Sequence, residues 1–92
     1  MRDDRCQVHR FTNKIYRMNY LKADGFDDAI VGIDMWQERL VYDKNKMIEI
    51  LMTEMSREEA IEFLEYNVWG AYVGEHTPLY IDLMNLKEIE EL

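Results

Sequence analysis

A single cysteine, Cys6, and a single proline, Pro78, punctuate these 92 residues, with only four glycines beside them. One thiol excludes an internal disulfide and suits a reducing compartment, so a cytoplasmic setting is expected. Low-complexity linkers and internal repeats are lacking. Residues 1–92 therefore read as one domain with room for a modest core, a size at which oligomerisation often supplies extra stability. No apolar run is long enough to span a bilayer, and Met1 leads into RDDRCQ, not into the apolar core of a signal peptide.

Chemistry-bearing motifs are equally scarce. Cys6 and His9 have C-x-x-H spacing, but His76 is the only other imidazole and a zinc site needs about four ligands. Glu75 and His76 adjoin one another, a pairing too common to mark acid–base catalysis. No phosphate loop, activated nucleophile or paired-carboxylate pattern is visible, so a non-enzymatic protein without cofactor or metal is expected.

Positive charge is in short supply and unevenly placed. Lys and Arg number 11 against 19 Asp and Glu, for a net charge of −8. Residues 1–22 carry six basic and two acidic side chains, net +4; residues 23–92 carry five basic and seventeen acidic ones, net −12. An acidic body serves solubility and steers partners. The basic arm lacks a stacking or groove-entering motif, so nucleic-acid binding is not expected, and residues 1–10 read as a mobile N-terminus.

What remains is a pattern of short elements. From Phe11 the spacing of Phe11, Ile15 and Met18 reads as a helix ending before Asp24-Gly25, against an alternation of Tyr16, Met18 and Tyr20 that would suit a strand. Ala29 to Met35 is β-branched and bounded by turn-formers, hence a strand, with Gly32 marking a bulge or the close approach of another backbone. Leu40 to Asp43 would return antiparallel, although the intervening turn has no Asn-Gly or Asp-Gly. Asp43 is placed to cap a helix whose apolar stripe is Met47, Ile48, Leu51, Met52 and Met55. Ser56 to Glu59 is a capping box opening a second helix. Its core stripe is Ala60, Ile61, Leu64, Val68, Ala71 and Tyr72, and Gly74 would stop it. Leu79 to Leu83 reads as a third strand, and residues 84–92 as an acidic tail able to form a short helix through Leu86, Ile89 and Leu92. The expected fold is α+β: a small antiparallel sheet (hairpin plus third strand) with an antiparallel helix pair on one face, the ββααβ unit spanning residues 26–83.

From Tyr66 to Val73 the second helix loses its polar face, and a helix apolar all round must be covered there. Trp69, projecting opposite the core stripe, with Tyr66, Tyr72 and Trp36 on the hairpin turn, are the candidate partner or oligomer contacts. Each is also ordinary core filler. Asn67 inside the apolar stripe needs a hydrogen-bond partner, and with His76 it is a candidate ligand contact. Gly70 and Gly74 could admit a second backbone, or serve internal packing and a cap.

The stretches FDDAIVG, RLVYDKNKMIEILM and MSREEAIEFLEYNVWGAYVGEHTP resemble a group of small proteins encoded by tailed bacteriophages. The shared block runs through Glu59-Ala60, Asn67, Gly70-Ala71, Gly74 and Thr77-Pro78, and the likeness covers roughly residues 26–80. It implies a phage or prophage origin and infected-cell cytoplasm, and it brings no catalytic role. The expected function is that of a small acidic accessory protein that binds a host or phage protein, a host enzyme or defence factor being the kind of target. The alternative is a homo-oligomer, a dimer foremost, that binds a small molecule or nucleotide.

Overall fold

The computed structural model describes residues 8–13 and 18–92, with residues up to Asn19 described by backbone path alone. The expected mobility of residues 1–10 and the Cys6–His9 spacing fall wholly or largely outside them.

Two strands open the described chain, β1 (Val8–Asn13) and β2 (Met18–Ala23), paired antiparallel from Val8↔Ala23 to Asn13↔Met18. This corrects the helix expected from Phe11. The i, i+3, i+4 spacing there was carried by Ile15, between the strands, whereas the alternation through Tyr20 continues along β2. After a 3-10 turn at Asp27–Ala29 come β3 (Ile30–Asp34) and β4 (Arg39–Asp43), antiparallel as expected. The register slips between Ile30 and Gly32, so the bulge falls where Gly32 indicated it. Nothing lies within 4 Å of a Cβ built on Gly32, so the glycine serves the bulge and not a close approach.

Asp43 caps α1 (Lys44–Leu51), its Oδ1 accepting the Asn45 N–H at 3.0 Å. Ser56 and Glu59 form the reciprocal box that opens α2 (Arg57–Leu64), with bonds of 3.0 and 3.2 Å. The Ser56 backbone N–H, and then its hydroxyl, hold the Glu59 carboxyl below its ordinary pKa, because both bonds favour the charged form. From Glu65 to Trp69 the helix widens into a π turn and stops at Gly70, four residues before the Gly74 stop expected from the sequence. A Cβ at Gly70 would lie 2.8 Å from the Glu65 carbonyl oxygen, so only glycine fits this exit unless the backbone shifts.

The third strand, β5 (Leu79–Ile81), pairs with β4 in parallel, Val41↔Leu79 to Asp43↔Ile81, so the sheet β3-β4-β5 is mixed and not wholly antiparallel. The cause lies in residues 70–78. After the helices the chain runs back to the β3–β4 turn before entering β5, so β5 starts at the same end as β4. A last short helix, α3 (Leu86–Glu90), has its own capping box at Asn85 and Glu88.

The core joins the sheet, the first hairpin and the helices. Leu40 and Tyr42 alternate inward from β4 and meet Met47 and Ile48 of α1, Ala60 and Leu64 of α2, and Val68 of the π turn. Leu21 and Ala23 bring β2 onto the same cluster. Tyr42 is fully buried, and its hydroxyl accepts the Ala23 N–H at 2.8 Å, tying the first hairpin to the central strand. Burial pushes the Tyr42 phenol up to about 12, with the Ala23 bond pulling the other way. Among the described residues no helix is long and apolar enough to cross a membrane.

Candidate functional site

Parallel entry into β5 has a consequence for the surface. It draws residues 72–77 alongside the turn at residues 35–38, and the two segments enclose a cleft of about 630 Å³. Asp34 builds one wall. Its Oδ1 accepts the backbone N–H of Trp36 at 3.0 Å and of Gln37 at 3.3 Å, and its Oδ2 lies 3.6 Å from the Arg39 guanidinium. The turn closes through Glu38 at φ 56°, a left-handed conformation that an L side chain adopts only at a cost of about 1 kcal/mol. An aspartate two residues before the turn's centre thus does the work that Asn-Gly does in a shorter hairpin.

Thr77 builds the other wall. Its Oγ1 donates to the Gly74 carbonyl at 2.6 Å and accepts the Val73 N–H at 3.0 Å, folding residues 73–77 into a tight loop with Gly74 at φ 121°. His76 then bridges the walls, its Nδ1 3.0 Å from the Gln37 carbonyl oxygen. A carbonyl only accepts, so Nδ1 carries the proton and Nε2 is left as the ring's second polar atom.

Between these clamps stand three apolar side chains that folding leaves in water. Trp36 is 92% exposed, Tyr72 80% and Met35 68%. All three line the cleft, with the carboxylates Glu38 and Glu75 beside them. Of the residues singled out in the sequence, the fold thus brings together Trp36, Tyr72 and His76, from two segments almost forty positions apart.

The others go elsewhere. Tyr66 is exposed and lines, with Asn67 and Phe63, a separate hollow of about 380 Å³ on the outer side of α2. Asn67 has the structural partner it needed: its Nδ2 donates to the Phe63 carbonyl at 3.0 Å, four residues back, where the α turn gives way to the π turn. Trp69 does not project away from the core. It packs against the core, its Nε1–H pointing to the Met47 sulfur at 3.4 Å and Lys44 Nζ lying 4.5 Å from its ring centre. The π turn is the reason, since one extra residue per turn rotates position 69 towards α1. Tyr72, expected in the core stripe, is instead turned out, because the helix has already ended at Gly70.

Sequence reasoning did not assemble Met35, Glu38 and Glu75 into the site. Their only signal was proximity to Trp36 and His76, and nothing in local periodicity reports which two loops meet. Among the described residues no group of three or more His, Cys, Asp or Glu side chains is placed to hold a metal. Comparison of the chain with family models, curated proteins and solved structures gives no match in any of the three.

Proposed function

We propose that the protein is a non-enzymatic accessory factor that acts by binding another protein, and that the rim of the cleft is its contact surface. The carrying observation is Trp36, 92% exposed at the tip of a turn whose backbone is fixed by Asp34 and by the His76 bridge. A large amphipathic ring presented to water from a fixed backbone is the type of anchor that dominates binding energy, because little backbone freedom remains to be lost on contact. Tyr72 and Met35 extend the patch. The net charge of −12 over residues 23–92 favours a partner with a basic face and speeds encounter with it. A phage origin, with a host or phage protein as the partner in the cytoplasm, rests on the resemblance of residues 26–80 alone.

The test is a crosslinked pull-down from bacterial lysate with the wild-type chain and Trp36→Ala. A protein retained by the first and lost from the second is expected, with Tyr66→Ala as a control that leaves capture intact. Equal capture by wild type and Trp36→Ala overturns this reading.

One observation favours a second reading. The cleft volume falls in the range of small-molecule sites, so a nucleotide or metabolite held at this rim, with a second copy of the chain closing it, is the alternative. A nucleotide panel in thermal shift, combined with light scattering across a dilution series, decides it. A ligand present at a hundred times its dissociation constant adds about 2.7 kcal/mol, and no shift with a concentration-independent monomer ends this alternative.

A further inference from the structure

Charged side chains in the cleft are of one effective sign. Glu38 and Glu75 present carboxylates at its rim. Arg39, the one basic chain among the described residues of the lining apart from the imidazole of His76, is turned to Asp34, and its Nε is buried. His76 has committed its Nδ1–H to the Gln37 carbonyl, and among the described residues no lysine lines the cleft. Beside the carboxylates are the faces of Trp36 and Tyr72, which attract cations through the ring quadrupole.

The molecule already contains a worked instance of this combination. At the other end of the sheet Lys44 Nζ sits 4.5 Å from the centre of the Trp69 ring and 3.9 Å from an Asp82 carboxylate oxygen. An indole and a carboxylate together hold a cation there. The cleft supplies the same two partners, doubled: Trp36 with Tyr72, and Glu38 with Glu75.

We infer that the cleft receives an arginine side chain from an exposed segment of the partner, stacked on Trp36 or Tyr72 and paired with Glu38 and Glu75. This rests on the protein-binding reading above and specifies its chemistry. Arginine is favoured over lysine because a planar guanidinium can lie flat on an indole and still present its fork of N–H donors to carboxylates. Met35 is left to contact the apolar stem of the arginine or its neighbours.

The experiment uses the full chain, 15N-labelled, titrated with the peptide acetyl-Gly-Arg-Gly-Arg-Gly amide and with its twin carrying citrulline at both arginines. Citrulline keeps the shape and loses the charge. Two indole N–H signals serve as internal reporters, since the chain has two tryptophans. The arginine peptide is expected to shift the Trp36 indole and the amides of residues 35–38 and 72–77 while leaving the Trp69 indole in place. Citrulline should bind about ten-fold more weakly, a difference of about 1.4 kcal/mol. The pair Glu38→Gln and Glu75→Gln should bring the arginine peptide down to the citrulline level, and 0.5 M salt should weaken it several-fold. Equal binding of the two peptides, shifts spread over the acidic faces of α2 and α3, or full affinity in the double variant Trp36→Ala, Tyr72→Ala each overturn the inference. If those results come while capture of a partner still depends on Trp36, the cation falls and the protein-binding reading stands. If capture is independent of Trp36, that reading fails by itself, whatever the peptides do.

Discussion

The two tryptophans of this chain stand at opposite ends of the same sheet and meet opposite fates. Trp69 leaves a helix, and everything around it converges: the Met47 sulfur on its N–H, Lys44 over its face, and Asp82 holding Lys44 in turn. Trp36 leaves a turn, and its surroundings fix its backbone while leaving its ring in solvent. The sequence context made both of them candidate contacts and put Trp69 first, because an apolar helix end looks like an interface. The lesson is that exposure depends on where the helix register and the loop path deliver a side chain, and local hydrophobicity does not report either. The sharpest way to break this comparison is to truncate each ring. Trp69→Ala should cost about 3 kcal/mol of unfolding free energy, through lost packing against the core and loss of the Lys44 contact. Trp36→Ala should stay within about 0.5 kcal/mol of wild type. Urea unfolding of both variants measures this directly, and equal losses would mean that Trp36 is covered in solution, by a second copy for instance.

The same contrast explains what could be read from residues alone. Caps are local chemistry, so Asp43, Ser56 with Glu59, and the bulge at Gly32 were all legible, as was the α+β class that follows from strands, helices and strand in succession. The helix-to-core stripe was legible through Met47, Ile48, Ala60, Ile61, Leu64 and Val68; it failed at Met52, exposed just past the end of α1, and in the second helix at Ala71 and Tyr72. In the second helix it failed because a π turn adds one residue without any change in apolar spacing, and Gly70 reads as tolerable helix until the Glu65 carbonyl is seen beside it. The parallel direction of β5 was illegible for a related reason. Two tightly joined helices imply a return to the starting end, and only the path of residues 70–78 reverses that. Since that path also makes the cleft, the members of the site were visible singly, as Trp36, Tyr72 and His76, and invisible as a set.

Gly70 sharpens the helix side of the comparison. Its φ of −88° is ordinary, so replacing it by alanine would by itself stabilise the chain by restricting the unfolded state. The Glu65 oxygen at 2.8 Å reverses that sign, because a backbone atom cannot swing away as a side chain can. Gly70→Ala should therefore lose about 2 kcal/mol. It should also move the Trp69 indole resonance. A neutral or stabilising result would mean that the π turn relaxes to an α turn at little expense, and with it the argument for where Trp69 points.

Between the two ends lies Tyr42, whose hydroxyl couples the first hairpin to the central strand. Tyr42→Phe leaves the buried Ala23 N–H without its acceptor and should cost about 1–2 kcal/mol. Faster hydrogen exchange across Leu21 to Ala23 would localise the loss to the hairpin. The alkaline limb gives a second signature. A tyrosine in the unfolded chain releases its proton near pH 10, whereas Tyr42 in the folded chain holds its proton to about 12. The folded state therefore binds more protons between those values, and stability falls as pH rises through this window. Tyr42→Phe should lack that part of the decline, so the two stability curves should converge above pH 10; parallel curves would count against burial of the phenol.

The smallest expected effect lies on the cleft side, at Glu38. Its φ of 56° penalises any residue with a Cβ, and glycine removes that penalty. Part of the gain is returned to the unfolded chain, which glycine makes more flexible, so Glu38→Gly should be more stable than wild type by about 0.5 kcal/mol. Binding should move the other way, because one of the two carboxylates at the rim is gone. A variant that gains stability while binding the arginine peptide several-fold more weakly would show that the strained carboxylate is kept for contact and not for the turn. Loss of stability would mean that the turn does not need its left-handed residue, and the rigidity of Trp36 would have to come from Asp34 and His76 alone.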